Sequence, residues 1–522
     1  MNTAVLHRTT TEVVVGVGAL SFAEVVAVAR ADAAVRLADE ALAAMAASAE
    51  VITALASDSE PHYGISTGFG ALASQSIPPA LRAQLQRSLV RSHAAGSGPE
   101  VEREVVRALM LLRLSTLATG RTGVRPIVAE TYAAVLNAGI TPMVGEYGSL
   151  GCSGDLAPLA HCALALLGEG EVRGSDGDIV AASVALEAAG IEPLVLTEKE
   201  GLSLINGTDG MLGMLVLALA DLDDLLTLAD VAAAMSVEGL LGTDSVFAAD
   251  LQELRPHPGQ RVSAANIRAS LAGSGLLAHP TGFTRVQDAY SLRCAPQVHG
   301  GARDACAHAT AVAGRELASA VDNPAVTHDG RVESNGNFHG APIAYALDFL
   351  AIVVADVASM SERRTDRFLD PARNHGLTAF LADDPGVDSG HMIAQYTQAG
   401  IVSELKRLAV PASVDSIPSS AMQEDHVSMG WAAARKLRRA VDGLTRVVAI
   451  ELMTAARAID LRAPGRPSPV AAAVIARLRT EVEGPGPDRH LAPEIESARR
   501  MVVDGSLLAA ARRVAEGLAV SS

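Results

Sequence analysis

The sequence has few aromatic residues, few cysteines and a shortage of basic charge. Only 3% of its 522 residues are aromatic, and its four cysteines are too few and too widely spaced for a disulfide framework or a CxxC metal or redox site. Lys and Arg number 42 against 59 Asp and Glu, so the formal net charge is -17. Such a chain has no bulk attraction for nucleic acid or an anionic membrane surface, and neither is an expected partner.

The sequence also lacks an evident membrane span or secretion signal. Its N-terminus, MNTAVLHRTTTEVVVGVG, has no basic region followed by an apolar core. The most apolar runs, 211–220 and 343–358, are too short for a bilayer or are interrupted by Asp348 and Asp356. We therefore expect buried helices in a cytoplasmic protein.

Small and aliphatic residues at helical spacing are abundant. A strand is predicted over 13–15, and the Ser21/Glu24 capping box predicts a helix over 22–34. Periodicity predicts further helices at about 36–56, 100–118, 126–138, 155–167, 209–240, 300–320, 341–369, 390–409, 430–460 and 493–517. The expected fold class is all-α, mainly helical. Because 49% of the residues are hydrophobic, more than one soluble domain needs for its interior, we also expect a homo-oligomer.

Segments rich in Gly, Pro and Ser separate these helices, and loops of this kind often carry chemistry. They lie at 63–70, 146–151, 206–208, 273–284 and 413–420. Within the first, Gly64-Ile-Ser-Thr-Gly68 has the spacing of a nucleophile elbow, but the preceding Ser59-Glu-Pro-His62 does not suit the buried strand that an elbow requires. A glycine-rich loop is the favoured interpretation.

The most informative segment is Gly148-Ser-Leu-Gly-Cys-Ser-Gly-Asp-Leu-Ala-Pro-Leu-Ala-His161. Its local pattern predicts a turn that leads into a helix capped by Asp155, with Pro158 in the first turn. The string resembles the signature of the aromatic amino acid ammonia-lyase family. In that family an internal tripeptide, usually Ala-Ser-Gly, cyclises to a methylidene-imidazolone (MIO) ring. The corresponding tripeptide here is Cys152-Ser153-Gly154.

The chemistry of ring closure accounts for these residue types. The amide nitrogen of Gly154 must attack the carbonyl carbon of Cys152 across a compressed turn, which is easier without a Cβ. Ser153 then loses its hydroxyl and becomes the exocyclic methylene. Cys152 contributes only its carbonyl, so cysteine in place of alanine should not prevent closure. The resemblance implies an MIO formed autocatalytically, with no external cofactor, and no metal motif such as H-E-x-x-H is present.

The resemblance extends over nearly the whole chain. Further matching blocks are Tyr63 to Gly70, Ser92 to Gly96, Asn206-Gly-Thr208, Gln287 to Arg293, Asn335 to Gly340 and Gln423 to His426. It implies an N-terminal region carrying the prosthetic ring (1–205), a central bundle of long helices (206–460) and a C-terminal helical segment (461–522). It also implies a homotetramer in which several subunits build each active site.

The resemblance assigns catalytic roles to three residues besides the tripeptide. Tyr63 is the expected base for the β-proton of the substrate, and Tyr290 is expected to assist proton transfer. Asn206 is the expected hydrogen-bond donor to the carbonyl oxygen of the ring, as in an oxyanion hole, with helix N-termini adding positive potential.

Substrate binding is expected at five further residues. Arg293 would hold the substrate carboxylate with support from Gln287, because a planar guanidinium binds both oxygens. Phe338 is expected near the ring, although a packing role in the core competes. His93 and Glu424 favour an imidazole, whose two nitrogens both need polar partners.

The expected reaction is therefore elimination of ammonia from L-histidine to give trans-urocanate, the first step of histidine degradation. Three alternatives stay open from the sequence. Relatives that act on tyrosine and MIO-dependent 2,3-aminomutases share the tripeptide, and a catalytically inactive helical scaffold could keep the architecture.

Overall fold

The N-terminal part of the chain consists of short and medium helices joined by small strands. In the computed structural model, which describes residues 11–277, 287–515, 517 and 518, its helices are α1 (Phe22–Ala31), α2 (Asp39–Ala56), α3 (Pro79–His93), α4 (Arg103–Ala118), α5 (Pro126–Asn137), α6 (Leu156–Leu166), α7 (Ala182–Ala188) and α8 (Glu200–Ile205). Its strands are β1 (Glu12–Val15), β2 (Ala34–Leu37), β3 (Ser97–Glu100), β4 (Thr141–Pro142), β5 (Gly145–Tyr147), β6 (Glu171–Arg173) and β7 (Ile179–Ala181). β1 pairs with β2 in parallel, β3 pairs with β5, and β6 lies between β4 and β7.

The predicted capping box at the start of α1 is confirmed. The Ser21 hydroxyl accepts from the Glu24 amide, and the Glu24 carboxylate accepts from the Ser21 amide at 2.7 Å. The predicted extension of this helix to residue 34 is wrong. Asp32 adopts a left-handed conformation (φ 52°), which ends the helix, and Ala34 begins β2.

Long helices dominate the central part. They are α9 (Asp209–Gly239), α10 (Ala249–Glu253), α11 (Pro258–Leu271), α12 (Tyr290–Arg293), α13 (Ala295–Leu317), α14 (Ala341–Leu369), α15 (Met392–Leu408) and α16 (Gly430–Asp460), with a small hairpin of β8 (Ala325–Val326) and β9 (Val332–Glu333). α9 and α16 have 31 residues each, so each spans about 46 Å. α14 packs most extensively against α16 and α13, and α16 also packs on α9. The prediction of a mainly helical fold with long central helices is confirmed.

One helix of the described part, α14, is long and apolar enough to cross a membrane by length and composition alone. However, 61% of its most apolar window is buried within the protein. The carboxylate of Asp348 in α14 binds Lys436 at 2.5 Å and the Ser413 amide at 2.7 Å. α14 is therefore a helix of the protein core, as predicted for 343–358, and 211–220 is buried in α9.

The C-terminal part consists of α17 (Pro469–Leu478), α18 (Ala492–Val503) and α19 (Ser506–Arg512). The single helix predicted over 493–517 is two helices, because Gly505 with φ +72° separates them. The segment limits at 205/206 and 460/461 stay predictions; they coincide with the ends of α8 and α16. Part of the loop predicted at 273–284 lies outside the described residues.

Candidate active site

Cys152-Ser153-Gly154 forms a turn immediately before α6. Gly154 has φ +76° and forms a β-bridge with Gly207, and a Cβ at Gly154 would lie 2.0 Å from the Gly207 carbonyl oxygen. The Asp155 amide donates to that oxygen at 2.7 Å. Only glycine fits at the third position, because a side chain there would collide with Gly207.

Asp155, the next residue, joins α6 to α9. Its side chain is fully buried and accepts from the Ser149 hydroxyl at 3.0 Å and from the Met211 amide at 2.9 Å. Burial raises the pKa of Asp155 to about 7, outweighing these two hydrogen bonds, which lower it. The carboxyl group therefore takes up a proton on folding at mildly acidic pH.

We expect this proton uptake to make the stability depend on pH. The pKa of Asp155 is raised to about 7 in the folded state. The stabilisation of the fold by proton binding at Asp155 is therefore complete at low pH and is lost as pH rises towards 7. Relative to Asp155→Asn, which mimics the neutral acid, the natural chain should lose about 1.4 kcal/mol of unfolding free energy per pH unit between about pH 4 and pH 7. Denaturant unfolding at one protein concentration measures this, and a constant difference between the two proteins would contradict it.

The N-termini of three long helices meet beside the tripeptide. A Cβ built at Gly340, before α14, or at Gly430, at the start of α16, would lie 2.5 Å from the sulfur of Met211 in the first turn of α9. The hydrogen bond from the Met211 amide to Asp155 brings the start of α6 next to the first turn of α9. The positive ends of these helix dipoles therefore lie together, next to the start of the helix that follows the tripeptide.

The chain at the start of α16 also holds the loop that precedes the tripeptide. The Ser428 hydroxyl donates to the Gly151 carbonyl at 3.0 Å, and the Met429 amide donates to the Leu150 carbonyl at 2.9 Å. The Trp431 indole donates to the Glu146 carbonyl at 2.8 Å. This side of the site is rigidly attached to the central bundle.

Glu424 lies close to Cys152 of the tripeptide. Its carboxylate accepts from the Ser419 hydroxyl at 2.8 Å. Burial, with the nearby Glu424 charge, raises the pKa of Cys152 to about 12, so the thiol stays neutral. The structure thus places an acidic acceptor next to the expected electrophile.

Phe338 belongs to a second segment that reaches the Glu424 loop. His339 stacks on His426 with ring centroids 5.6 Å apart and an interplanar angle of 3°. Phe338, adjacent to His339, is partly buried. The blocks 335–340 and 423–426 therefore meet in space, as their expected roles require.

Asn206 lies in a buried polar network at the end of α8. Its Nδ2 donates to the Asn323 carbonyl at 2.9 Å and lies 3.5 Å from Asp322. Asp322 is held in turn by the buried Lys199 at 2.6 Å. The Oδ1 of Asn206 is buried without a hydrogen-bond partner in the described part of the chain, so the unused capacity of this amide is that of an acceptor, while its donor Nδ2 is engaged with Asn323 and Asp322.

Tyr63 lies in a glycine-rich loop, as predicted, and not at an elbow between a strand and a helix. Its hydroxyl oxygen accepts from the Gly70 amide at 3.2 Å, and its ring is edge-on to Phe69. A Cβ at Gly70 would lie 2.8 Å from the Ser420 hydroxyl, so this loop contacts the loop that bears Glu424.

His93 ends α3, which packs against α6 and α8. Its Nδ1 lies 2.9 Å from the Leu89 carbonyl oxygen, which only accepts hydrogen bonds. Nδ1 therefore carries the proton in the neutral ring, and Nε2 is an acceptor. The adjacent Gly96 amide donates to His161 of α6 at 3.0 Å, so this end of α3 lies against the helix that follows the tripeptide.

Three expected site residues lie elsewhere in the chain. Tyr290 and Arg293 are in the four-residue helix α12, with the Arg293 guanidinium carbon 4.7 Å from the centre of the Tyr290 ring, and Gln287 just before it is exposed. The Ser291 carbonyl contacts Arg364, about six turns into α14, which places α12 about 35 Å along the bundle from the N-terminus of α14. One chain alone does not bring these residues to the tripeptide.

The sequence matches a known protein family over most of its length. A family model described as aromatic amino acid lyase matches residues 20–480. The chain therefore belongs to the aromatic amino acid lyase family.

Individual relatives are similar over nearly their whole length. The histidine ammonia-lyase of Streptomyces coelicolor is 65% identical over 504 residues, which cover 96% of this chain and 98% of that protein. Tyrosine aminomutase from Streptomyces globisporus superposes with a TM-score of 0.91 at 38% identity, covering 97% of this chain and 99% of that one. Histidine ammonia-lyase from Trypanosoma cruzi gives a TM-score of 0.88 at 37% identity, covering 96% and 95%.

Proposed function

We propose that this protein is a cytoplasmic ammonia-lyase that converts L-histidine to trans-urocanate and ammonia without oxidation, the first step of histidine degradation. The observation that carries the proposal is the position of Glu424 beside Cys152-Ser153-Gly154. The near full-length similarity to the histidine ammonia-lyase of Streptomyces coelicolor supports the same substrate and reaction.

The three residues of the tripeptide fit the proposed MIO group, formed from Cys152, Ser153 and Gly154 without an external cofactor. The fit rests on the glycine-only contact of Gly154 with Gly207. As donor to the ring's carbonyl oxygen, Asn206 would use Nδ2, which bonds to the Asn323 carbonyl in this structure. The ring would supply an electrophilic carbon for the substrate amino group. Asn206 and the converging helix N-termini would stabilise negative charge that develops at this end of the bundle.

The remaining residues bind the substrate and move its protons. Tyr63 removes the β-proton, and Tyr290 assists proton transfer. Arg293, with Gln287, holds the carboxylate in two parallel hydrogen bonds, while Phe338 packs against the apolar side of the site. Together they fix the α- and β-carbons relative to the base, and this orientation lowers the barrier to elimination.

Recognition of imidazole depends on His93 and Glu424. Nε2 of His93 accepts a hydrogen bond in the neutral form, and the Glu424 carboxylate accepts a second one. Two acceptors match a substrate ring whose nitrogens both carry a proton, so the pair would bind the imidazolium form, whereas a phenyl ring would leave the carboxylate unpaired and poorly solvated.

Separate incubations with L-histidine, L-tyrosine and L-phenylalanine test this assignment. We expect histidine to be deaminated fastest, seen as an ultraviolet-absorbing acrylate and free ammonia. Glu424→Gln should lower kcat/KM for histidine by about 10- to 100-fold, because it removes a charged acceptor. The exposed neighbour provides the control, since Asp425→Asn should leave kcat/KM unchanged. Faster turnover of tyrosine, or full activity of Glu424→Gln, would contradict the proposal.

A 2,3-aminomutase is the second candidate, because the fold is equally similar to that of a tyrosine aminomutase. A mutase returns the ammonia to the β-carbon, so its product is a β-amino acid. Accumulation of a β-amino acid without free ammonia in the same incubations would favour this candidate.

We also propose a homotetramer in which α12 of one subunit completes the site of another. Gln287 and Tyr290 are exposed although their expected roles need a substrate cavity, and Tyr290 is 70% exposed. Apolar side chains also form exposed stripes on α14 and α15, namely Tyr345, Phe349, Ile352, Ile393 and Tyr396. Surfaces of this kind usually meet another subunit.

A further inference from the structure

A buried ion pair lies at the far end of the bundle from the tripeptide. Arg364 of α14 and Glu451 of α16 are both fully buried, with Nε to Oε1 at 2.5 Å and Nη2 to Oε2 at 2.8 Å. Glu451 also accepts from the hydroxyls of Ser236 at 2.7 Å and Ser361 at 2.6 Å. Each carboxylate oxygen thus has two donors, which fixes the guanidinium in one orientation.

The third nitrogen of this guanidinium points at α12. Nη1 of Arg364 donates to the Ser291 carbonyl at 3.3 Å, and Ser291 lies between Tyr290 and Arg293. A four-residue helix has too few internal hydrogen bonds to hold its own orientation. Other anchors include the buried side chain of Leu292, the hydrogen bond from the Thr243 amide to Asp288 at 2.7 Å, and the continuation of α12 into α13 at Cys294.

We propose that Arg364 and Glu451 are positioning residues for recognition of the substrate carboxylate. They hold α12, and with it Arg293 and the Tyr290 ring beneath its guanidinium, in the orientation that a site shared with a neighbouring subunit requires. This inference rests on the roles proposed above for Arg293 and Tyr290. The planar guanidinium suits the task because it binds a carboxylate with two nitrogens and a backbone carbonyl with the third, which an ammonium cannot reproduce.

The alternative is that the pair contributes only to stability. A buried ion pair can often be replaced by well-packed apolar residues at little cost in stability. The double variant Arg364→Met with Glu451→Leu therefore separates the two roles, because it leaves no unpaired buried charge but removes the hydrogen bond to Ser291.

The experiment compares Arg364→Lys and this double variant with Arg107→Lys as a matched control. Arg107 is also buried and donates to two backbone carbonyls, those of Val28 and Leu136, without contacting α12. All variants are assayed for intact mass, oligomeric state, KM and kcat for histidine, and amide hydrogen exchange over 287–294.

We expect Arg364→Lys and the double variant to keep the oligomeric state of the natural chain and its mass apart from the substitutions. KM should rise by about 10-fold or more, and this rise should be larger than the fall in kcat. Exchange over 287–294 should accelerate in both, but not in Arg107→Lys. If Arg364→Lys does not fold, the double variant decides. The inference would be overturned if the double variant had the KM of the natural chain. It would also be overturned if Arg107→Lys changed KM and amide exchange over 287–294 as much as the other variants do. A natural chain without activity on histidine would instead overturn the proposed function and this inference with it.

Discussion

Ser153→Ala is expected to reduce kcat/KM for histidine by a factor on the order of a thousand or more. Alanine has no hydroxyl to lose as water, so the electrophilic methylene carbon cannot form. The substitution removes one oxygen atom from a partly buried turn and leaves Gly154 and its contact with Gly207 in place. We therefore expect a folded but inactive protein, measured by urocanate absorbance and by thermal unfolding.

Cys152→Ala is the matched control one residue earlier. The first residue contributes only its carbonyl to ring closure, so this variant should keep activity within a few-fold of the natural chain, about 1 kcal/mol or less in transition-state free energy. The proximity of its thiol to Glu424 is lost, and that is the source of any small change. If Cys152→Ala and Ser153→Ala lost the same amount of activity on histidine, the turn would have only a structural role in the enzyme.

Mixing two inactive variants is expected to restore activity. Ser153→Ala destroys the tripeptide half of a site, and Arg293→Met destroys the carboxylate clamp on α12, about 35 Å away in the same chain. If these halves come from different subunits, random co-assembly at equal amounts makes about a quarter of the sites intact.

Co-expression of the two variants with different affinity tags, followed by purification through both tags, provides the mixed oligomers. Each variant alone should show background activity, whereas the mixture should approach a quarter of the natural rate. If both halves came from one chain, no site in the mixture would be intact. Background activity in doubly tagged oligomers would contradict the shared site.

The sequence predicts the long helices and the loop motifs well, because their signals are local. α9, α14 and α16 follow continuous helical periodicity and agree with prediction to within a residue or two. Three helices that begin with proline were missed, α3, α11 and α17, although proline suits the first helical turn and also begins α5, which was predicted.

The buried charges and the spacing of the site halves could not be predicted. Four charged side chains are fully buried in two ion pairs, Lys199 with Asp322 and Arg364 with Glu451. Charged residues usually face solvent, so only the tertiary partner of each residue explains its burial. The order of motifs along the chain likewise does not indicate how far apart they lie in space. From the sequence, α12 is therefore assigned to the same site as the tripeptide, although within one chain it lies at the other end of α14.

The most direct test of the account is the intact mass of the purified natural chain beside that of Ser153→Ala, with peptide mapping across residues 152 to 154. Ring closure with dehydration predicts that the natural chain is lighter than its sequence by two water molecules, with the loss confined to the tripeptide and absent from the variant. A natural chain that deaminates histidine at its full unmodified mass would contradict the account.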